Sequence, residues 1–177
     1  MILVFVRHTS VAVPPGVSYG QTDVPLKSTF PLEASVTKAC LMPYGTFDAA
    51  FTSPLSRCTR LADYCGYDNA TPDNRLLEID LGDWEMQPFD EIADPRIQHW
   101  QADAFHTAAT RGESLADQYE RVRHFMEELL EEDYEQVVIF THGGVIACAR
   151  IYSGEISVEE ALDREIPYGG IFEMELE

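Results

Sequence analysis

Two continuously apolar runs, at residues 2–6 and 137–141, constrain the fold of this chain more than any other feature. Neither run alternates with polar residues, and strands of this kind are buried on both faces, as in the parallel or mixed sheets of α/β proteins. The run at 171–176 does alternate, so it predicts an edge strand with one solvated face. The sequence therefore predicts an α/β fold on a mostly parallel sheet, with an edge strand near the C-terminus.

The segments between these runs predict further strands and helices. A run at 49–52 predicts a strand, and a weaker one at 76–79 predicts another. The clearest helix follows Ser114, an N-cap candidate, and keeps an apolar spacing of 3.6 as far as Leu130. Shorter helices are expected from Pro54 or Leu55 to about Tyr64 and from near Val145.

Two segments, 10–30 and 82–112, carry Pro, Gly and Asp with weak periodicity. Irregular segments of this kind usually build the pocket of an α/β protein, so we expect loops there.

Length, charge and cysteine spacing limit the classes of protein. The 177 residues fit a single domain spanning 1–177, and 12 Lys and Arg against 31 Asp and Glu give a net charge of −19. We expect no nucleic-acid or membrane partner, because the chain has no basic stripe and no apolar run of about 20 residues. The cysteines lack metal-ligand spacing, so we expect reduced thiols, no metal and a cytoplasmic location; the oligomeric state stays open. The four are Cys40, Cys58, Cys65 and Cys148.

Reactive and cationic side chains follow three of the predicted strands. Arg7 and His8 come directly after the first, His142 follows the run at 137–141, and Arg57 lies on the helix that begins after the run at 49–52. Because ligands of open α/β sheets bind beyond the carboxyl ends of strands, we expect these four to share a pocket. Two guanidinium groups and two imidazoles repel one another unless an anion lies between them, and phosphate matches the arginine fork.

An imidazole beside a bound phosphate can act as a nucleophile and split ester hydrolysis into two phosphoryl transfers. The leaving alkoxide then needs an acid, and residues 77–85 offer Glu78 and Glu85. Glu78 is favoured because it follows an apolar pair, while Glu85 remains the alternative, or a support for the pocket.

These residues fall into motifs whose order resembles the histidine phosphatase (phosphoglycerate mutase-like) superfamily. The motifs are Arg7-His8-Thr9, Ser53-Pro54-Leu55 with Arg57-Cys58, Leu77-Glu78 with Gly82-Asp83-Trp84-Glu85, Gly112-Glu113-Ser114 and Thr141-His142-Gly143-Gly144. The resemblance implies a three-layer α/β/α sandwich and a phosphoric monoester hydrolase that needs no metal or other cofactor. It further implies His8 as the phosphorylated nucleophile, Glu78 as proton donor, and a phosphate clamp of Arg7, Arg57 and His142.

Residues 15–26 and the stretch 167–170 resemble the α-ribazole phosphatase subgroup. This likeness implies a small-molecule phosphate ester as substrate: α-ribazole 5′-phosphate, or the cobalamin phosphate, in cobalamin biosynthesis. Candidates for further substrate contacts are Thr9, Gln21, Thr22 and Glu85. Pro14 departs from the family pattern, because many members have a phosphate-binding Asn there.

Three alternatives to this activity stay open. They are a phosphatase of broad, sugar-phosphate or phosphoprotein specificity, a phosphoglycerate mutase, and a catalytically inactive phosphate-binding module.

Overall fold

A computed structural model describes all 177 residues, in seven strands and five α-helices. The strands are β1 (Ile2–Arg7), β2 (Val17–Ser18), β3 (Ala49–Thr52), β4 (Thr71–Pro72), β5 (Gln87–Pro88), β6 (Gln136–Thr141) and β7 (Ile171–Glu175). The helices are α1 (Phe30–Leu41), α2 (Ser56–Cys65), α3 (Arg96–Ala102), α4 (Leu115–Leu129) and α5 (Gly143–Tyr152).

Five strands form the central sheet in the order β4-β3-β6-β1-β7, while β2 and β5 pair separately. The four strands from β4 to β1 are parallel, and β7 runs antiparallel to β1 at the edge. The mostly parallel sheet and the C-terminal edge strand are therefore confirmed.

The apolar strands β1 and β6 supply side chains to both faces of the sheet. Val4 and Val6 pack with α1 and α2 on one face, whereas Leu3 and Phe5 pack with α4 and α5 on the other. Successive residues of a strand point to opposite faces, so a strand with helices on both sides has no position for a polar residue. This arrangement is the predicted α/β/α sandwich.

The predicted strand at 76–79 is wrong. Residues Asn74–Leu76 form a 3-10 turn, capped by the side chain of Asp73, and the short strand β4 precedes it. The carbonyls of Arg75, Leu77 and Glu78 accept hydrogen bonds from Arg121 of α4 at 2.7 to 3.0 Å. A guanidinium group thus takes the place of a partner strand, and local β-propensity is overridden.

The helices begin close to the predicted positions. Ser114 caps α4 in a capping box with Asp117, as its position in the sequence predicts. Helix α5 begins at Gly143, two residues before the predicted start. The sequence did not predict α1 or α3. Helix α3 lies within the segment that was expected to be irregular. None of the helices combines the length and the apolar character that crossing a bilayer requires.

Candidate active site

The pairing of β1 with β6 brings two histidines together. Arg7 is in register with Thr141, so the next residues of the two strands, His8 and His142, lie side by side with ring centroids 5.2 Å apart. Both rings are buried, and the backbone N–H of His8 donates to the carbonyl of Thr141. The strand-end geometry expected from the sequence is present.

Arg57, on the first turn of α2, places a buried cation beside this pair. Its Nε donates to Nδ1 of His142 at 3.3 Å, and its terminal nitrogens donate to the carbonyls of Gly20 and Thr22 at 2.7 and 2.8 Å. The residue is 0% exposed, and its hydrogen-bond partners are all uncharged. A buried charge without a counter-ion is costly, and a bound anion would remove that cost.

Hydrogen-bond partners define the tautomer of each histidine. Nδ1 of His8 lies 2.8 Å from the carbonyl of Thr9, which only accepts, so this nitrogen carries the proton and Nε2 keeps its lone pair. In His142, Nδ1 accepts from Arg57, and Nε2 therefore donates to the hydroxyl of Ser53 at 2.7 Å. His142 could therefore bind a phosphate only by giving up its hydrogen bond to Arg57 or to Ser53.

Burial keeps both imidazoles neutral. It lowers the pKa of His8 from 6.5 to about 3, with the charges of Arg57 and Arg7 adding to the effect. Burial also lowers the pKa of His142 well below its usual value, again with smaller contributions from His8 and Arg57. His8 is consequently an uncharged base with a free electron pair at neutral pH.

The pH dependence of stability provides the first prediction. Both histidines have a lower pKa folded than unfolded, so the unfolded chain binds more protons below pH 6.5 and stability falls with the pH. Between pH 6.5 and pH 5 each ring should lower the free energy of unfolding by about 2 kcal/mol. Urea unfolding at pH 7 and pH 5 measures this drop.

The control for that measurement is a pair of single variants. His8→Asn should show a drop smaller by about 2 kcal/mol, whereas a change at the exposed His99, to Asn, should retain the full drop. Equal drops in His8→Asn and the parent protein would contradict the assignment of a neutral, buried His8.

Arg7 and His8 are covered by the segment that precedes β7. The guanidinium of Arg7 forms an ion pair with the exposed Glu165 at 3.2 Å and donates to the carbonyl of Ile166. The ring of Tyr168 lies 4.3 Å from the guanidinium carbon of Arg7 and 5.6 Å from the His8 ring, measured to centroids. The Tyr168 hydroxyl lies 3.1 Å from that of Tyr19, so the two rings form one side of the site.

The carboxylate of Glu78 is held by three N–H donors. They are the backbone N–H groups of Ile79 and Gly144, at 2.8 and 3.1 Å, and the side-chain amide of Gln118 at 3.0 Å. A Cβ atom on Gly144 would collide with this carboxylate, and one on Gly143 would lie 3.1 Å from the guanidinium carbon of Arg7. The two glycines after His142 thus allow Arg7 and Glu78 to approach the start of α5.

Glu85 lies beneath a turn. Its carboxylate accepts hydrogen bonds from the N–H groups of Gln21 and Leu81, at 2.8 and 3.2 Å, and from the hydroxyl of Thr22. The side chain of Gln21 donates to the carbonyl of Glu78 at 3.0 Å. Of the four candidates for substrate contact, Gln21, Thr22 and Glu85 therefore brace one another, and Thr9 is 0% exposed with an unpartnered hydroxyl.

A pocket of about 290 Å³ adjoins the histidine cluster, by which we mean His8, His142 and the residues that contact or flank them. It borders the cluster at Arg7, Glu78, Gly143 and Gly144, and extends between the β2 segment and the segment at 161–165. Its remaining walls are mainly apolar and include Leu81, Phe89, Trp100, Leu115 and Leu162. The arrangement joins a cationic site for an anion to an apolar site for a larger group.

Sequence reasoning assigned no individual role to several residues of this region. Ser53 directly follows β3, so the strand-end argument that found His8 could have found it. Gln118 is a fully buried polar residue on the apolar stripe of α4, which is itself a signal of a specific partner. Glu165 carries no local signal, and Tyr19 and Tyr168 were noted only as part of the motifs at 15–26 and 167–170; tertiary structure brings them to the site.

The family comparison extends over nearly the entire chain. Residues 3–177 match the model of the histidine phosphatase superfamily, branch 1. No curated protein matches the chain in sequence.

Solved structures share the fold. The α-ribazole phosphatase from Shigella flexneri superposes with a TM-score of 0.86 at 24% identity, over 100% of this chain and 91% of that one. Mycobacterial glucosyl-3-phosphoglycerate phosphatase has a TM-score of 0.82 at 24% identity, over 98% and 89%. A protein from Thermus thermophilus has a TM-score of 0.79 at 29% identity, over 99% and 94%. With the family match, the chain belongs to the histidine phosphatase superfamily, branch 1, and is a phosphoric monoester hydrolase.

Proposed function

We propose that residues 1–177 form one phosphatase domain that hydrolyses a small phosphate ester through a phosphohistidine on His8. The observation that carries this proposal is the buried Arg57, which has no counter-ion and donates to His142, whose ring centroid lies 5.2 Å from that of His8, the histidine with a free Nε2. Arg7, Arg57 and His142 hold the phosphate. The phosphate then replaces the carboxylate of Glu165 as the ion-pair partner of Arg7.

The reaction has two transfers. Nε2 of His8 attacks phosphorus, the ester P–O bond breaks, and the leaving alkoxide takes a proton from Glu78. Water then attacks the phosphohistidine, its proton passes to Glu78, and the N–P bond breaks to release phosphate. The proton of Nδ1, held on the Thr9 carbonyl, keeps His8 in the reactive tautomer throughout.

Two observations support Glu78 rather than Glu85 as the proton donor. Glu78 lines the pocket next to Arg7, where the leaving group would lie. Glu85 instead uses its carboxylate to hold the turn at Gln21 and Thr22, which in turn supports the carbonyl groups around Arg57. We therefore assign Glu85, Gln21 and Thr22 to positioning rather than to substrate contact.

The substrate that we propose is α-ribazole 5′-phosphate or the corresponding cobalamin phosphate. The motifs at 15–26 and 167–170 support it, and the fold is shared with the Shigella enzyme. The mainly apolar walls of the pocket suit a flat aromatic base. The mycobacterial relative acts on a sugar-linked phosphoglycerate, and a similar activity is the second candidate because the fold match is almost as good.

A substrate panel tests this second prediction. Phosphate release is measured in EDTA from α-ribazole 5′-phosphate, glucosyl-3-phosphoglycerate, 3-phosphoglycerate, common nucleotides and a generic aryl phosphate. We expect kcat/KM for α-ribazole 5′-phosphate to exceed every other value by roughly 100-fold, because it joins a phosphate to an aromatic base that is less polar than the bases of the nucleotides and better matched to the apolar walls.

The alternative outcomes separate the remaining hypotheses. Equal and slow turnover of all esters would leave a phosphatase without the cobalamin role, and phosphoglycerate isomerisation would indicate a mutase. Binding without turnover would indicate a phosphate-binding module.

A further inference from the structure

The pocket beside Arg7 has an unusual charge pattern. Its charged lining residues are one cation, Arg7, and two carboxylates, Glu78 and Glu165. When a phosphate group occupies Arg7, as the proposed function requires, Glu165 loses its ion-pair partner. The space for the leaving group is then bordered by two carboxylates and by no free cation.

Two uncharged polar atoms of residues that line the pocket have no hydrogen-bond partner. The Oε1 atom of Gln118 is buried and has no hydrogen-bond partner, although its Nε2 donates to Glu78. The indole N–H of Trp100, another lining residue, is also buried and unpartnered. Buried polar groups are nearly always paired, so one acceptor and one donor are left for a neutral polar ligand.

We propose that this pocket selects uncharged leaving groups that combine an apolar ring with hydroxyl groups, and that Glu165 excludes leaving groups bearing a carboxylate or a second phosphate. The inference rests on the proposed function and deepens it, because it names the substrate class of the same site. A carboxylate on the leaving group would be repelled by the carboxylate of Glu165, whereas a hydroxyl can donate a hydrogen bond to it. The third prediction follows from this difference.

The test compares two substrates of similar reactivity, benzyl phosphate and 4-carboxybenzyl phosphate, which differ by one remote carboxylate. Wild-type protein should prefer benzyl phosphate in kcat/KM, and Glu165→Gln should reduce that preference by about tenfold. Glu165→Gln also frees Arg7 from its ion pair, which should raise kcat/KM for both esters by the same factor and therefore cancels in the ratio of the two values. Glu159→Gln, an exposed change in the same segment and outside the pocket lining, should retain the wild-type ratio.

A second variant adds a carboxylate to the same wall. Leu162 lines the pocket and is 56% exposed, so Leu162→Glu should fold and should increase the preference for benzyl phosphate. An unchanged ratio in both variants, or a wild-type preference for the carboxylated ester, would overturn the inference while His8-dependent hydrolysis remained. If the panel substrates and both benzyl esters all resisted hydrolysis, or if hydrolysis did not depend on His8, the proposed function would fail and the inference with it.

Discussion

Substitution of His8 by alanine should lower kcat by roughly 10⁴-fold or more, because the first transfer then has no nucleophile. His8 is the histidine with an unshared Nε2 electron pair, whereas both nitrogens of the neighbouring His142 already have partners. Rapid acid-free quenching of the wild-type enzyme with a labelled substrate should trap a phosphoramidate on His8. His8→Ala should give no such adduct.

The pH profile and a binding measurement complete this fourth prediction. Because burial lowers the pKa of His8 to about 3, kcat/KM should show no loss caused by protonation of His8 above about pH 4. His8→Ala should still bind inorganic phosphate, since Arg7 and Arg57 remain, and this binding shows that the variant is folded. Substantial phosphatase activity in His8→Ala would eliminate the covalent mechanism.

Substitution of Glu78 by glutamine should reduce kcat/KM, which reports the first transfer alone, by roughly 10³-fold on alkyl phosphates and by less than about tenfold on 4-nitrophenyl phosphate. An alkoxide needs a proton to leave, whereas nitrophenolate leaves without one. Glutamine keeps the length of the side chain and an oxygen that accepts from Gly144 or Ile79. Steady-state kinetics on the two substrates measure the ratio directly.

The matched control for this fifth prediction is Glu85→Gln. That change removes a charge from the turn at Gln21 and Thr22, so it should lower thermal stability. It should change kcat/KM for the alkyl phosphate and for 4-nitrophenyl phosphate by the same factor. A leaving-group dependence in Glu85→Gln together with its absence in Glu78→Gln would assign the proton donor to Glu85.

The fold was predictable wherever burial alone decides the structure. The strands β1 and β6 are apolar at every position that the helices cover, and β7 alternates because one face is solvated. The predicted strand at 76–79 failed because a long-range partner, Arg121, decides the conformation there. No local pattern reports that an arginine 43 residues from Glu78 binds its carbonyl.

The site was predictable to the extent that it follows strand ends. His8, His142 and Arg57 meet because each directly follows, or lies one turn beyond, a strand of one parallel sheet. The cover formed by Glu165 and Tyr168 belongs to an irregular segment, whose path depends on what it packs against. Loop conformation carries the specificity of such sites, and composition does not encode it.

The backbone that carries Glu78 is anchored differently from the two histidines. His8 and His142 are attached to the sheet, but the carbonyl of Glu78 is bound by Arg121 of α4, whose guanidinium group also pairs with Glu113 just before that helix. Substitutions in α4 that alter this anchor can therefore shift the backbone of the acid while the pairing of β1 with β6 still holds the two histidines together. A lineage built on this scaffold can acquire new alcohol substrates by gradual change while its phosphoryl chemistry remains intact.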